Sequence, residues 1–199
     1  MQAQNLTVRR GSEVLFKALD FELKAGQLVW LRGANGSGKT SLLRVVAGLS
    51  KPDGGQLRWN KEPRLVYMGH ANALKDDLTA LEALRFLTTL HGRTCSTENM
   101  EAALRRLGVF HRRRLLVRML SQGQRRRVAL ARLALEDSPG IWVLDEPFDA
   151  LDDAGLQLVQ NLFRENLQRG GTVLFTSHIA VRPEGLELHE LHLQGTRST

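Results

Sequence analysis

Residues 33–40 read GANGSGKT, between QLVWL at 27–31 and KTSLLRVVAGL at 39–49. The first flank is a short apolar run that reads as a strand. The second carries apolar residues at helical spacing, with Gly48 placed to stop it. A strand, a G-x-x-x-x-G-K-[ST] turn and a helix together form the context of a phosphate-wrapping loop. The glycines let the backbone curl so that successive N–H groups point at phosphate oxygens, and the helix N-terminus adds roughly half a positive charge. Lys39 reaches the β- and γ-phosphates, and the Thr40 hydroxyl is a hard oxygen ligand for Mg²⁺. The candidate ATP contacts are therefore Gly33, Ala34, Asn35, Gly36, Ser37, Gly38, Lys39, Thr40 and Ser41.

A second motif lies far along the chain. IWVLDEP at 141–147 is a continuous apolar run ending in acids, the mark of a strand buried on both faces of a parallel sheet. Ligands of open α/β sheets bind beyond the carboxyl ends of the strands, where Asp145 and Glu146 fall. Asp145 is the candidate Mg²⁺ holder, through water, and Glu146 the candidate general base for an attacking water. In LSQGQRRRVALARL at 120–133, Ser121 and Gln124 have capping-box spacing, so a helix opens there. Gly123 in its first turn lets a phosphate approach the backbone closely. This is a second anion site without a lysine.

Outward from these motifs the chain reads as α/β. NLTV, DFELK, QLRWN, RLVYM and TVLFTSH are strand candidates. From Thr79 to about Leu135 the pattern is helical, with Thr79 and Glu82 spaced as a capping box and Gly92 and Gly108 as stops. DAGLQLVQNLFRENLQRGG is a further amphipathic helix closed by glycines.

At 199 residues the chain is one domain, or one domain with a subdomain, and large enough for a core. The single cysteine, Cys95, excludes an internal disulfide and fits a reducing compartment. No apolar run is long enough to span a bilayer, and MQAQNLTVRRG has no signal-peptide h-region. The formal net charge is +7, and arginine is concentrated at 105–132, which points to an anionic partner.

With all of these motifs in one order, the sequence resembles the ATP-binding subunits of ABC transporters over nearly its whole length. GANGSGKT resembles Walker A, LSQGQ the ABC signature, WVLDEP Walker B, FDALD the D-loop and TSH the switch-histidine segment. The resemblance implies a P-loop NTPase (RecA-like) core with a parallel sheet, N-terminal antiparallel β-strands and an inserted α-helical subdomain. The expected boundaries are about 1–72 and 136–199 for the core and about 73–135 for the subdomain. It also implies Mg-dependent ATP hydrolysis by a head-to-tail homodimer, with Ser121, Gly123 and Gln124 acting in trans and Asp152 linking the two sites. His178 would hold the γ-phosphate and the attacking water, beside Glu146 and Lys39 as catalytic groups.

Three positions depart from the family pattern. Arg10 stands where an aromatic residue would stack on adenine, so either Arg10 or Phe16 takes that part. Gln122 replaces the first signature glycine. His70 occupies the position of the Q-loop glutamine; imidazole suits Mg²⁺ poorly, so His70 is expected at water or γ-phosphate and in coupling. Within the family, YMGH, QLRWN and LSQGQRRRVALARL resemble the haem-exporter-type subunits of cytochrome c maturation. That branch implies integral membrane subunits of a haem-exporter-type permease, a peripheral place on the cytoplasmic face of the bacterial inner membrane, and no nucleic acid partner. Two alternatives stay open: an ABC ATPase for another substrate, and a soluble ABC ATPase acting on ribosomes or DNA.

Overall fold

The computed structural model describes residues 1–59, 64–180, 183 and 185–195. They group into two compact units, one of Met1–Gly69, Pro139–Glu146 and Asn166–Thr199, the other of His70–Ser138 and Pro147–Glu165. The second unit collects the segment read as a helical subdomain and takes 147–165 with it.

The first unit holds both sheets. Strands β1 (Gln2–Arg10), β2 (Glu13–Glu22) and β4 (Gly54–Arg58) form an antiparallel sheet in the order β2-β1-β4. β1 and β2 are longer than NLTV and DFELK suggested. Register shifts interrupt their pairing, and Asn5 and Ala18 sit at φ 52° and 54°, so the alternation that betrays a strand is broken inside both. β4 stops at Arg58, with Trp59 beyond it; Asn60, the end of QLRWN, lies outside the described residues.

Strands β3 (Leu28–Arg32), β5 (Leu65–Met68), β6 (Ile141–Leu144), β7 (Thr172–Phe175) and β8 (Leu188–His192) form the second sheet, in the order β5-β6-β7-β3-β8. Every pair in it is parallel. β7 is buried throughout and β6 nearly so, as continuous apolar strands of a parallel sheet should be. Helix α1 (Lys39–Val46) follows β3 and buries Leu42, Leu43, Val45 and Val46 in a core with Leu31, Val143, Leu174 and Phe16. Gly48, at φ 71°, ends it in the left-handed conformation that a helix stop requires. Because β6, β7 and β3 are neighbours, the segments leaving their carboxyl ends, at 145–146, 176–178 and 33–38, open on one edge.

The second unit is helical. α2 (Ala80–Leu90) begins with a capping box: the Glu82 N–H donates to Thr79 Oγ1, and Glu82 Oε2 accepts the Thr79 N–H at 2.8 Å. α3 (Thr97–Arg106) is capped by Ser96. α4 (Gln122–Leu130) opens with the Ser121–Gln124 box, as its spacing predicts. It is shorter than the apolar pattern suggested, and a 3₁₀ turn takes over at Leu133–Leu135. That turn sets the Leu135 carbonyl and Glu136 against Arg93, at 2.7 and 2.6 Å. Most of α5 (Asp153–Gln168) belongs here too, and Phe163 on it stacks at a tilt on Phe148. No helix among the described residues is long and apolar enough to cross a membrane.

Candidate active site

In the first unit the glycine-rich loop leaves β3 at Gly33 and enters α1 at Gly38, with Gly36 at φ 81° and Gly38 at φ 97°. Gly38 offers no side-chain acceptor to the first turn of α1, and no acid stands in that turn. The N–H donors that Thr79 and Ser121 satisfy elsewhere are thus left for an anion. Lys39 Nζ donates to the carbonyls of Gly33 and Ala34 at 2.8 and 3.1 Å, folding back over the loop it belongs to. Ala34 and Asn35 are exposed, Ser37 is buried, and Thr40 and Ser41 are half-buried on α1.

Thr40 Oγ1 donates to Asp145 Oδ2 at 2.8 Å, so the two hard oxygen donors of the two motifs meet. The other carboxylate oxygen, Oδ1, accepts from Thr176 Oγ1 at 2.7 Å. Glu146 stands at φ 51°, a left-handed conformation strained for a residue with a side chain. Its N–H donates to Thr176 Oγ1 at 2.9 Å, which helps hold that conformation. Its carboxylate turns to the other neighbour: Oε2 accepts the His178 N–H at 2.8 Å, and Oε1 is 3.4 Å from His178 Nε2. Lys39, Thr40, Asp145, Glu146 and His178 all lie in this unit. Thr176, fully buried between the two acids, was not singled out from the sequence. As the first residue of TSH, its hydroxyl gave no signal of what it would meet.

Phe16 does not fit the part of an adenine platform. It is 1% exposed, and its ring lies 3.1 Å from the position a Cβ would take at Gly38. It supports the loop from beneath, whereas Arg10, at the end of β1, is exposed. His189 and His192 are on β8, the latter paired with Glu190 at 2.9 Å.

The second unit builds another concavity. Ser121, Gln122, Gly123, Gln124, Arg127, Ala150 and Asp152, with Gly108, Val109 and His111, line a cleft of about 510 Å³. Gly123 is required there: a Cβ on it would stand 2.5 Å from the Ala150 carbonyl. Asp152 pairs with Arg127 and accepts the Gly155 N–H at 2.9 Å. The Gly155 N–H first, and then the Arg127 guanidinium, hold its carboxyl below the usual aspartate range. His70, first residue of this unit, follows Gly69 after β5, and its carbonyl accepts from Arg126 at 3.3 Å.

The arginines of 105–132 do not form one open cationic face. Arg105 and Arg113 pair with Glu101, Arg106 with Glu165, Arg118 with Asp77, Arg125 with Asp76 and Arg127 with Asp152. Arg126 and Arg132 are buried. Only Arg112 and Arg114 have side chains without a partner among the described residues. No group of three His, Cys, Asp or Glu among the described residues is placed to hold a metal ion on its own.

Comparison with known proteins agrees with this layout. The sequence profile of the ABC transporter family matches residues 16–149. The chain is 41% identical over 203 aligned positions to the cytochrome c biogenesis ATP-binding export protein CcmA of Nitrosomonas europaea, covering 97% of this chain and 95% of that one. To the protein of the same name from Methylococcus capsulatus it is 44% identical, covering 92% and 93%. Among solved structures, an ABC transporter ATP-binding protein of Pyrococcus furiosus superposes with a TM-score of 0.80 at 24% identity, covering 96% of each chain. The dimeric bacterial ABC transporter cassette MJ0796 does so with 0.78 at 23%, covering 100% and 99%. At these identities the solved structures speak for the fold, and the sequence relatives carry the lineage: the chain belongs to the ABC transporter family.

Proposed function

We propose that this chain is the ATP-hydrolysing subunit of a membrane ABC complex of the haem-exporter type, acting in cytochrome c maturation. The meeting of Thr40, Asp145, Glu146 and His178 at the ends of β3, β6 and β7 carries the hydrolytic part of this reading. The maturation role rests on the relatives named for cytochrome c biogenesis, which match 92–97% of the chain at 38–44% identity.

The residues divide the work as follows. The N–H groups of Gly33–Ser41 and Lys39 bind the triphosphate, the lysine exchanging its carbonyl partners for β- and γ-phosphate oxygens. Thr40 and Asp145 would hold Mg²⁺, which when bound supplies a Lewis acid to the phosphoryl oxygens; their contact in one place fits a hard cation completed by phosphate and water. Glu146 accepts the proton of the attacking water, and His178, hydrogen-bonded to the same carboxylate, holds water and γ-phosphate in line. Ser121, Gly123 and Gln124 of a second copy close over the γ-phosphate, with Asp152 as the link between the two sites. His70 relays the state of the site toward integral membrane subunits at the cytoplasmic face of the bacterial inner membrane.

Glu146→Gln tests this. Loss of a general base lowers turnover by about a hundredfold or more, while ATP binding persists and the ATP-bound dimer accumulates on gel filtration. Undiminished hydrolysis in that variant overturns the assignment. Co-purification from bacterial membranes with an integral haem-exporter-type subunit tests the partner; recovery with ribosomes instead overturns it.

A further inference from the structure

The run Arg125-Arg126-Arg127 looks like a charged helix face, yet the three side chains go to three places. Successive residues of an α-helix point about 100° apart, so neighbours cannot share a face. Arg125 donates to the carbonyls of Arg118 and Leu120. Arg127 turns to Asp152. Arg126 turns inward and is 2% exposed.

A guanidinium carries five donors and keeps its charge, so burying one is costly unless its N–H groups are met. Those of Arg126 reach two separate stretches of chain. Nη1 donates to Asn72 Oδ1 at 2.9 Å and to the His70 carbonyl at 3.3 Å, and Nε donates to the Pro147 carbonyl at 3.3 Å. One side chain on the signature helix therefore grips the turn that carries His70 and the residue that follows Glu146 in the chain. Apolar packing would hold the same elements together without fixing their angles. Charge-assisted hydrogen bonds from a planar fork fix direction as well as distance.

We propose that Arg126 is a positioning residue for ATP hydrolysis, setting the His70–Asn72 turn and the Pro147 backbone against the helix that carries Gly123 and Gln124. Its hydrogen bonds to Asn72, the His70 carbonyl and the Pro147 carbonyl all stay within the chain. Its effect passes through backbone that its guanidinium holds, so it bears on turnover rather than on nucleotide affinity. The proposal rests on the ATPase reading above.

The test is steady-state kinetics of the full chain, combined with hydrogen exchange. Arg126→Gln is expected to lower kcat about tenfold with KM for ATP within about twofold, while amide exchange at 70–72 and 147–150 accelerates. Arg126→Lys, which keeps the charge and loses the fork, falls between. Asn72→Ala leaves the buried arginine in place and lowers kcat about threefold alone, but adds nothing in the Arg126→Gln background, because the two act as a unit. Wild-type kcat in Arg126→Gln, or Asn72→Ala and Arg126→Gln effects that simply multiply, overturns the positioning role alone. So does faster exchange without a fall in kcat, which marks a merely structural arginine. A wild-type chain that hydrolyses no ATP overturns the ATPase reading, and the positioning role falls with it.

Discussion

Thr176 donates its hydroxyl to Asp145 Oδ1 at 2.7 Å and accepts the Glu146 N–H at 2.9 Å, joining two adjacent acids from 31 and 30 residues away. Thr176→Val keeps the shape and deletes the hydroxyl, removing one hydrogen bond from a buried carboxylate and one from a backbone N–H. A loss of about 1–3 kcal/mol in unfolding free energy is expected, with turnover reduced. Urea denaturation checks it, and Thr176→Ser is expected to recover most of the loss.

Lys39 spends its charge on two carbonyls of its own loop. Those bonds are exposed, and their loss costs the fold little. Lys39→Ala is expected to melt within a few degrees of the parent, while ATP binding weakens by about ten- to a hundredfold, the equivalent of one charged hydrogen bond. Isothermal titration against ATP measures this. An unchanged affinity would remove Lys39 from the site.

At Gly123 a methyl group would meet the Ala150 carbonyl at 2.5 Å, and Ala150 itself sits at φ 59°. Backbone has to yield on one side or the other. Gly123→Ala is expected to leave ATP binding to the monomer intact and to prevent dimer accumulation in a Glu146→Gln background. Gel filtration with ATP reads the outcome.

Asp152 gives a pH signature. Its carboxyl is held low first by the Gly155 N–H and then by Arg127. A folded value below the unfolded one means that the unfolded chain binds the proton more readily, so the contribution is present above the ordinary aspartate range and is lost as pH falls through the folded value. Arg127→Gln should move the titration of Asp152 upward but not to the ordinary value, since the Gly155 N–H remains. NMR titration of the Asp152 carboxyl checks both halves of that expectation.

The catalytic motifs were legible because each is contiguous: spacing alone sets Lys39 and Thr40 in one turn and Asp145 and Glu146 at one strand end. The two capping-box helix starts obeyed local chemistry as well, with Thr79 and Ser121 capped as written. What meets across the fold was not legible. Nothing near Thr176 announces Asp145, and nothing in RRR says that its middle arginine turns inward to Asn72. The same holds for the positive charge: composition counts arginines but not the Glu101, Glu165, Asp76 and Asp77 that answer them. Phe16 reads as a platform by its type and is a foundation by its burial.

The turn that follows His70 is laced to the arginine-rich stretch by backbone as well as by charge. Ala80 and Leu81 donate to the carbonyls of Leu115 and Arg113, while Val117 and Arg118 donate back to Leu78 and Asp76. Arg118 and Arg125 add their pairs with Asp77 and Asp76. Four backbone hydrogen bonds and two ion pairs thus hold the two stretches together, just ahead of Ser121 where the signature helix begins. The basic segment is therefore framework as much as surface: its arginines and its backbone tie the residues after His70 to those before Ser121.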